Sequence, residues 1–255
     1  MTPPVFDFTG PKFLPLNMTD WSVIFCVMPT SLNKAEPKPT RKGGRIGATA
    51  SRRQSARTAK AAARREAILN AALDEFSARG FAMARLDDVA RRAGVATGTI
   101  YLHFKDKEAL FQELILLQIS PVVGSFEAVL ASDLPLRTIA DQAIEIFVRE
   151  IYGTKRKQVM RLIISEGPRF PTLAEFYYRE VVARMLKALR ARLTRALERG
   201  EIADDTLIRF PQLLGAASVI AIIWHGLFDR FEPLDVRSMM RAYFDRLFLT
   251  ARGPA

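Results

Sequence analysis

The chain has 255 residues, enough for one or two domains, and 49% of them are hydrophobic, enough for a large core. Lys plus Arg exceed Asp plus Glu by 38 to 27, a formal net charge of +11, so a polyanion (nucleic acid or an acidic membrane surface) is the first partner to consider. The single cysteine, Cys26, excludes an intrachain disulfide and a cysteine metal cluster and suits a reducing compartment; no metal and no cofactor is expected.

Residues 1–27 have no readable period. Their apolar run, Trp21–Met28, is too short for the ~20 residues of a membrane span, and no run elsewhere approaches that length. No small-x-small cleavage site follows it cleanly, so export is not expected. This segment reads as upstream sequence, with Met28 as the native start. A basic arm follows. From Lys34 to Arg65 there are eleven Lys or Arg and one acid, Glu36. Its Pro and Gly content and its charge predict an irregular extension over residues 1–58. Such an arm can follow a DNA backbone or enter the minor groove, with Arg41, Lys42 and Arg45 as the best candidates.

From about Ala59 the pattern turns helical. Ile68, Leu69, Ala72, Leu73 and Phe76 form one apolar face, and Gly80 fits the stop. A short helix follows from Leu86 to Gly94, then another from about Ala96 to Phe104. Asp106 can cap a fourth helix carrying Leu110, Phe111, Leu114 and Leu117, and Pro121 ends or kinks it. Further helices are predicted near 122–131, 136–151, 156–166, 172–199, 205–229 and 234–250. No strand, repeat or hairpin signal is found, so the class is all-α.

Residues 86–111, LDDVARRAGVATGTIYLHFKDKEALF, hold two short helices around a Gly-containing turn, the pattern of a helix-turn-helix. The second helix would enter a major groove about 12 Å wide, which requires on its exposed face compact groups that can meet phosphates, base edges or thymine methyls. Thr97, Gly98, Thr99, Tyr101, Leu102 and His103 provide that face, while Ile100 and Phe104, four apart, can pack inward. The extended string, roughly residues 64–114, closely resembles the TetR/AcrR family of bacterial transcriptional regulators. It has Gly-Phe at the end of the first helix, Val-Ala, Ala-Gly-Val, Gly-Thr-Ile-Tyr, His-Phe and Lys-Glu-x-Leu. RLIISEGPRFPTLAEFYY, residues 161–178, resembles the C-terminal domain of the AefR-like branch.

The resemblance implies that Gly98, Thr99, Tyr101 and His103 meet phosphates or bases and that Lys107 meets a phosphate. Taken alone, Tyr101 could be packing and His103 a cap. The chain departs from the pattern at Ala96-Thr97, where Ser-Lys is common, and at Arg85, where Thr or Ser often stands. Ala96 cannot cap, so Thr97 caps instead or the cap is weak; Arg85 cannot cap like Thr but could reach a phosphate. Arg91 and Arg92 read as a solvated face.

The C-terminal half shows no Gly-rich phosphate loop, no metal-ligand spacing and no Gly-x-Ser-x-Gly elbow, and the two histidines are His103 and His225. No enzyme is expected. Residues 216–228, AASVIAIIWHGLF, are apolar on nearly every face and so belong to a core or a subunit interface. The resemblance implies a dimer interface from the last two long helices, with Leu213, Ala216, Ala217, Ile220, Trp224, Phe244 and Leu247 as candidates, some of which could be ordinary core. It also implies a ligand cavity. Phe126, Phe147, Met160, Ile163, Ile164, Phe176 and Trp224 could line it, with Arg161, Tyr177 and His225 supplying polarity. The expected organisation is an extension over 1–58, a three-helix DNA-binding domain over 59–106 and a ligand-binding and dimerisation domain over 107–255. The expected function is a cytoplasmic, homodimeric, ligand-responsive regulator, most simply a repressor, with a DNA operator and a lipophilic or aromatic small-molecule effector as partners and no membrane. The rivals are an activator or architectural DNA-binder without effector response, an enzyme, and a membrane-surface protein using the basic arm.

Overall fold

The computed structural model describes residues 46–249, with side chains from Gln54 to Phe248. The first part of the basic arm, with Arg41, Lys42 and Arg45, and the Trp21–Met28 run lie outside the described residues. Among the described residues all regular structure is helical.

Helix α1 spans Ile46–Met83, so residues 46–58, expected to be irregular, are helical. Residues 46–64 are rich in Ala and Arg, the strongest helix formers. They extend a helix whose costly nucleation is already met by the packed segment from Ile68 onward. Residues 54–64 stay exposed, whereas Ile68, Leu69, Ala72, Leu73 and Phe76 are buried.

The regular part of α1 stops at Gly80, whose φ of 75° and ψ of 160° are open only to glycine. A Cβ there would also lie 2.9 Å from the Glu166 carboxylate. Gly80→Ala should therefore destabilise by about 1–3 kcal/mol through backbone strain, since the Glu166 side chain can move aside. Urea denaturation checks it; a loss under about 0.5 kcal/mol, the ordinary surface value, would contradict it.

Helices α2 (Leu86–Ala93), α3 (Thr97–Tyr101) and α4 (Lys107–Gln118) follow. Asp106 caps α4, its side chain accepting from the Ala109 N–H at 2.7 Å. Then α5 (Ser120–Ala131) takes Pro121 into its first turn, where a missing N–H costs nothing. Residues 107–131 together are long and apolar enough to cross a membrane, contrary to the expectation that no run approaches a span. They form two helices with a break at Ile119. Leu110, Phe111, Leu114 and Ile115 of the first, and Val122, Val123 and Leu130 of the second, are buried within the protein core.

Helix α6 (Leu136–Ile146) runs into a π-helical turn, Phe147–Tyr152. After α7 (Arg156–Glu166), α8 (Pro171–Tyr177) runs through a second π-turn, Tyr178–Val182, into α9 (Ala183–Glu198). The helix predicted over 205–229 is two: α10 (Thr206–Arg209) and α11 (Gln212–Leu227), parted at Phe210-Pro211 because proline cannot continue the α10 ladder. Helix α12 is Val236–Leu249.

Three buried clusters hold the chain together. The first joins α1–α4 to Val159, Leu162, Leu173 and Val181, so the apolar core does not break at residue 106. The second unites α5, α6 and its π-turn with α11 and α12. A third, around Leu136, Leu193, Ala196, Ile202 and Leu207, closes the far end.

Candidate nucleic-acid interface and a buried cavity

The turn between α2 and α3 is a Schellman stop. Gly94 sits at φ 67°, ψ 33°, its N–H donating to the Arg91 carbonyl, while the Val95 N–H donates to the Ala90 carbonyl at 3.0 Å. Val89 and Ala90 pack inward. Helix α3 is anchored by Ile100 (0% exposed) and Phe104 (2%). Tyr101 is 58% exposed and Leu102 83%; Gly98 and His103 are also exposed, and Thr97 and Thr99 are partly so. The residues predicted for recognition between Thr97 and His103 are thus all exposed or partly exposed. Exposed Arg85 precedes α2 and makes no side-chain cap. Ala96 occupies the cap position of α3, so the Thr97 cap is replaced by the weak one.

One predicted role changes. Lys107 donates from Nζ to the carbonyls of Phe81 (3.0 Å) and Ala82 (2.9 Å) and lies 4.8 Å from the Phe81 ring centroid. It closes the end of α1 against the start of α4 instead of standing free for a phosphate. Arg91 and Arg92 are exposed, as expected, and each also makes an ion pair. Arg92 reaches Glu75 at 3.1 Å, Arg91 reaches Asp88 at 2.9 Å, and Arg79 bridges Glu75 and Asp88. Glu75, only 2% exposed, is the centre of this network. It locks α2 on α1 and was missed because an acid one helical turn before Arg79 reads as surface.

Behind this unit lies an apolar cavity of about 340 Å³, within the range of about 300–1,000 Å³ common for small-molecule sites. The π-turns border it: Phe147 and Ile151 line it from one, Val181 and Val182 from the other, and such turns recur at functional sites. Of the predicted lining, Phe126, Phe147, Met160 and Tyr177 are present. Burial pushes the Tyr177 hydroxyl up to about 12, so it stays neutral.

The other predicted lining residues lie elsewhere. Arg161 and Ile164 border a separate cavity beside Phe76 and Gly80. Ile163 and Phe176 pack against the first core cluster, Phe176 with Arg179 over its ring. Trp224 donates its indole N–H to the Glu232 carbonyl at 2.8 Å. His225 lies 3.1 Å from Asp229 and 3.5 Å from the Tyr152 hydroxyl. These aromatic and basic groups close the end of α11, which satisfies them without a ligand.

Arg192 was missed. It is 1% exposed and lines the cavity. The signal was its place in the apolar stripe Leu189, Leu193, Ala196, where a charge contradicts the period.

The proposed dimer residues also divide. Leu213 and Ile220 are exposed on α11, as are Val219 and Leu227. Ala216 and Trp224 are half-buried. Ala217 and Phe244 are buried in the chain's own core, and Leu247 packs against it. A helix apolar on all sides must give one face to its own core, and periodicity alone does not say which.

Comparison with known proteins agrees with this geometry. Residues 68–114 match the model described as "Bacterial regulatory proteins, tetR family", and residues 136–245 match "Tetracyclin repressor-like, C-terminal domain". Neither description confirms the AefR-like branch. The chain is 27% identical over 172 residues to the transcriptional regulator SrpR of Pseudomonas putida, covering 68% of this chain and 79% of that protein. It is 30% identical over 146 residues to UidR of Escherichia coli, covering 55% and 70%. A solved TetR-family regulator from Mesorhizobium loti shares the fold with a TM-score of 0.60 at 24% identity, over 76% of this chain and 98% of that one. With its helix-turn-helix, its all-helical core and these matches at both ends, the chain belongs to the TetR family of DNA-binding transcriptional regulators and is not an enzyme.

Proposed function

We propose that the chain is a homodimeric repressor that an apolar small molecule releases from its operator in the cytoplasm. The observation that carries this reading is the α3 face: Thr97, Gly98, Thr99, Tyr101, Leu102 and His103 stand outward over the inward anchors Ile100 and Phe104. Two such helices, one per subunit, would enter successive major grooves of a near-palindromic site. Arg85 and the basic, exposed start of α1 would add phosphate contacts and salt sensitivity. The exposed apolar side of α11 around Leu213 and Ile220 supplies the pairing surface.

The lever runs through α4. Ile119, Val122 and Val123, at the α4–α5 junction, line the cavity, while α4 is held to α1 at its start by Lys107 and at its middle by the Arg65–Glu113 pair. An effector that fits the cavity better when this junction is displaced would move the recognition helices out of register. It shifts the equilibrium only by its differential affinity for the two states, about 5.5 kcal/mol for a full switch from 1:99 to 99:1.

The test is binding to the DNA upstream of the protein's own gene across a salt series, with Tyr101→Ala beside the parent. The expected result is two chains per site and salt-sensitive, sequence-specific binding that falls at least about tenfold in the variant, a loss of about 1.4 kcal/mol. Transcription from that promoter should fall when the protein is added. Binding that is equal on random DNA and indifferent to Tyr101 would mean that the basic part of α1 does the work, and the repressor reading would fail.

A further inference from the structure

Among the described residues only Glu75 and Arg192 are charged and buried. Glu75 is ion-paired with Arg79 and Arg92, although its Oε1 has no hydrogen-bond partner among the described residues. Arg192 is answered in part. Its Nη2 donates to the Leu134 carbonyl at 2.9 Å and to the Glu201 carboxylate at 3.1 and 3.0 Å. Its Nε and Nη1 have no acceptor, although both are shielded from solvent. A guanidinium does not deprotonate, so these N–H groups cannot be silenced by losing charge. Leaving them bare in an apolar site is costly, and such groups in a native protein call for a partner.

Arg192 is one of the residues lining the 340 Å³ cavity, whose other walls are mainly apolar, among them Phe126, Phe147, Met185, Leu189 and Phe244. At the buried end Arg192 pairs with Glu201, whereas Arg195 and Arg199 share Asp133 at the solvent-facing end.

We propose that the cavity takes an amphipathic monocarboxylate, an apolar chain or ring system with one acid group, whose carboxylate accepts from Nε and Nη1 of Arg192. The proposal rests on the reading of this cavity as the effector site and names the chemical class of that effector. The two unpartnered donors match the acid group, and the apolar walls match the body. A carboxylate is favoured over an alcohol or ester of the same body because only the anion makes charge-assisted hydrogen bonds with these donors, roughly twice as strong as neutral ones.

The experiment is calorimetric titration of the full chain with octanoate, dodecanoate and hexadecanoate, each beside the matching alcohol. Three proteins are compared: the parent, the double variant Arg192→Met with Glu201→Gln, and Ala143→Trp, which fills the cavity wall. The double variant removes both charges, so no lone buried carboxylate is left to unfold the chain; circular dichroism confirms folding. At least one acid is expected to bind the parent about tenfold or more tighter than its alcohol. The double variant should bring the two together, and Ala143→Trp should weaken both. Equal binding of acid and alcohol to the parent, a preference that survives in the double variant, or no binding of any acid overturns the proposal. Release of operator DNA is measured separately. An Arg192-dependent acid that binds without releasing DNA supports this site and sinks its role as the effector switch.

Discussion

Gly98→Glu should reduce operator affinity by at least about 100-fold, since like charges brought together at an interface cost several kcal/mol and each 1.4 kcal/mol is a decade. The same change should leave the fold intact. Gly98 is exposed, its backbone is not in the left-handed region, and an added Cβ would meet nothing within 4 Å. Replacing a helical glycine gains about 0.5–1 kcal/mol of backbone entropy, and an acid in the first turn of α3 complements the helix dipole. Folding and binding are therefore pushed in opposite directions by one side chain. Gly98→Gln separates bulk from charge and should lose less. The measurement is anisotropy of labelled operator DNA beside a thermal melt. A Glu variant that melts normally and still binds with parental affinity would place α3 outside the groove.

How much of this was legible in the sequence differs from element to element. The α2–turn–α3 unit was, because Gly94, the paired small hydrophobics and the Ile100/Phe104 spacing all specify one local geometry. Helix α7 and the Asp106 cap were also read correctly, since their signals are local. The two π-turns were not. A one-residue widening inside a continuous apolar helix changes no composition and breaks no period long enough to notice. Lys107 was assigned to phosphate because its hydrogen-bond partners, two carbonyls about 26 residues earlier, are set by tertiary packing. The cavity was half legible. Phe126, Phe147, Met160 and Tyr177 line it. Trp224 and His225 do not, because a polar aromatic on an apolar helix can close a helix end as readily as face a ligand. Arg192 shows the converse: its partner Glu201 comes only after the turn at Gly200, so the charge looked unpaired and superficial.

Phe111→Ala should cost about 3–5 kcal/mol, the range for deleting a buried aromatic ring. Phe111 is 1% exposed. It meets Phe76 edge-on with ring centroids 5.8 Å apart and Phe81 at 5.6 Å, and Phe81 in turn meets Phe170 at 4.8 Å. These four rings come from α1 and the turn after Gly80, from α4, and from the residue before α8. Removing one leaves a void between helices that Lys107 and Gly80 already hold in fixed positions, so collapse is limited and the cost belongs in the upper part of the range. Total stabilities of about 5–15 kcal/mol make this a large fraction of the whole. Urea denaturation of Phe111→Ala beside Phe111→Leu measures it, with the leucine variant expected to lose less than half as much. The same rings connect the recognition unit to the cavity-bearing helices. A Phe111→Leu protein that stays folded should therefore bind DNA while responding less to an effector. A leucine variant with full response would show that the signal travels along the α4 backbone alone.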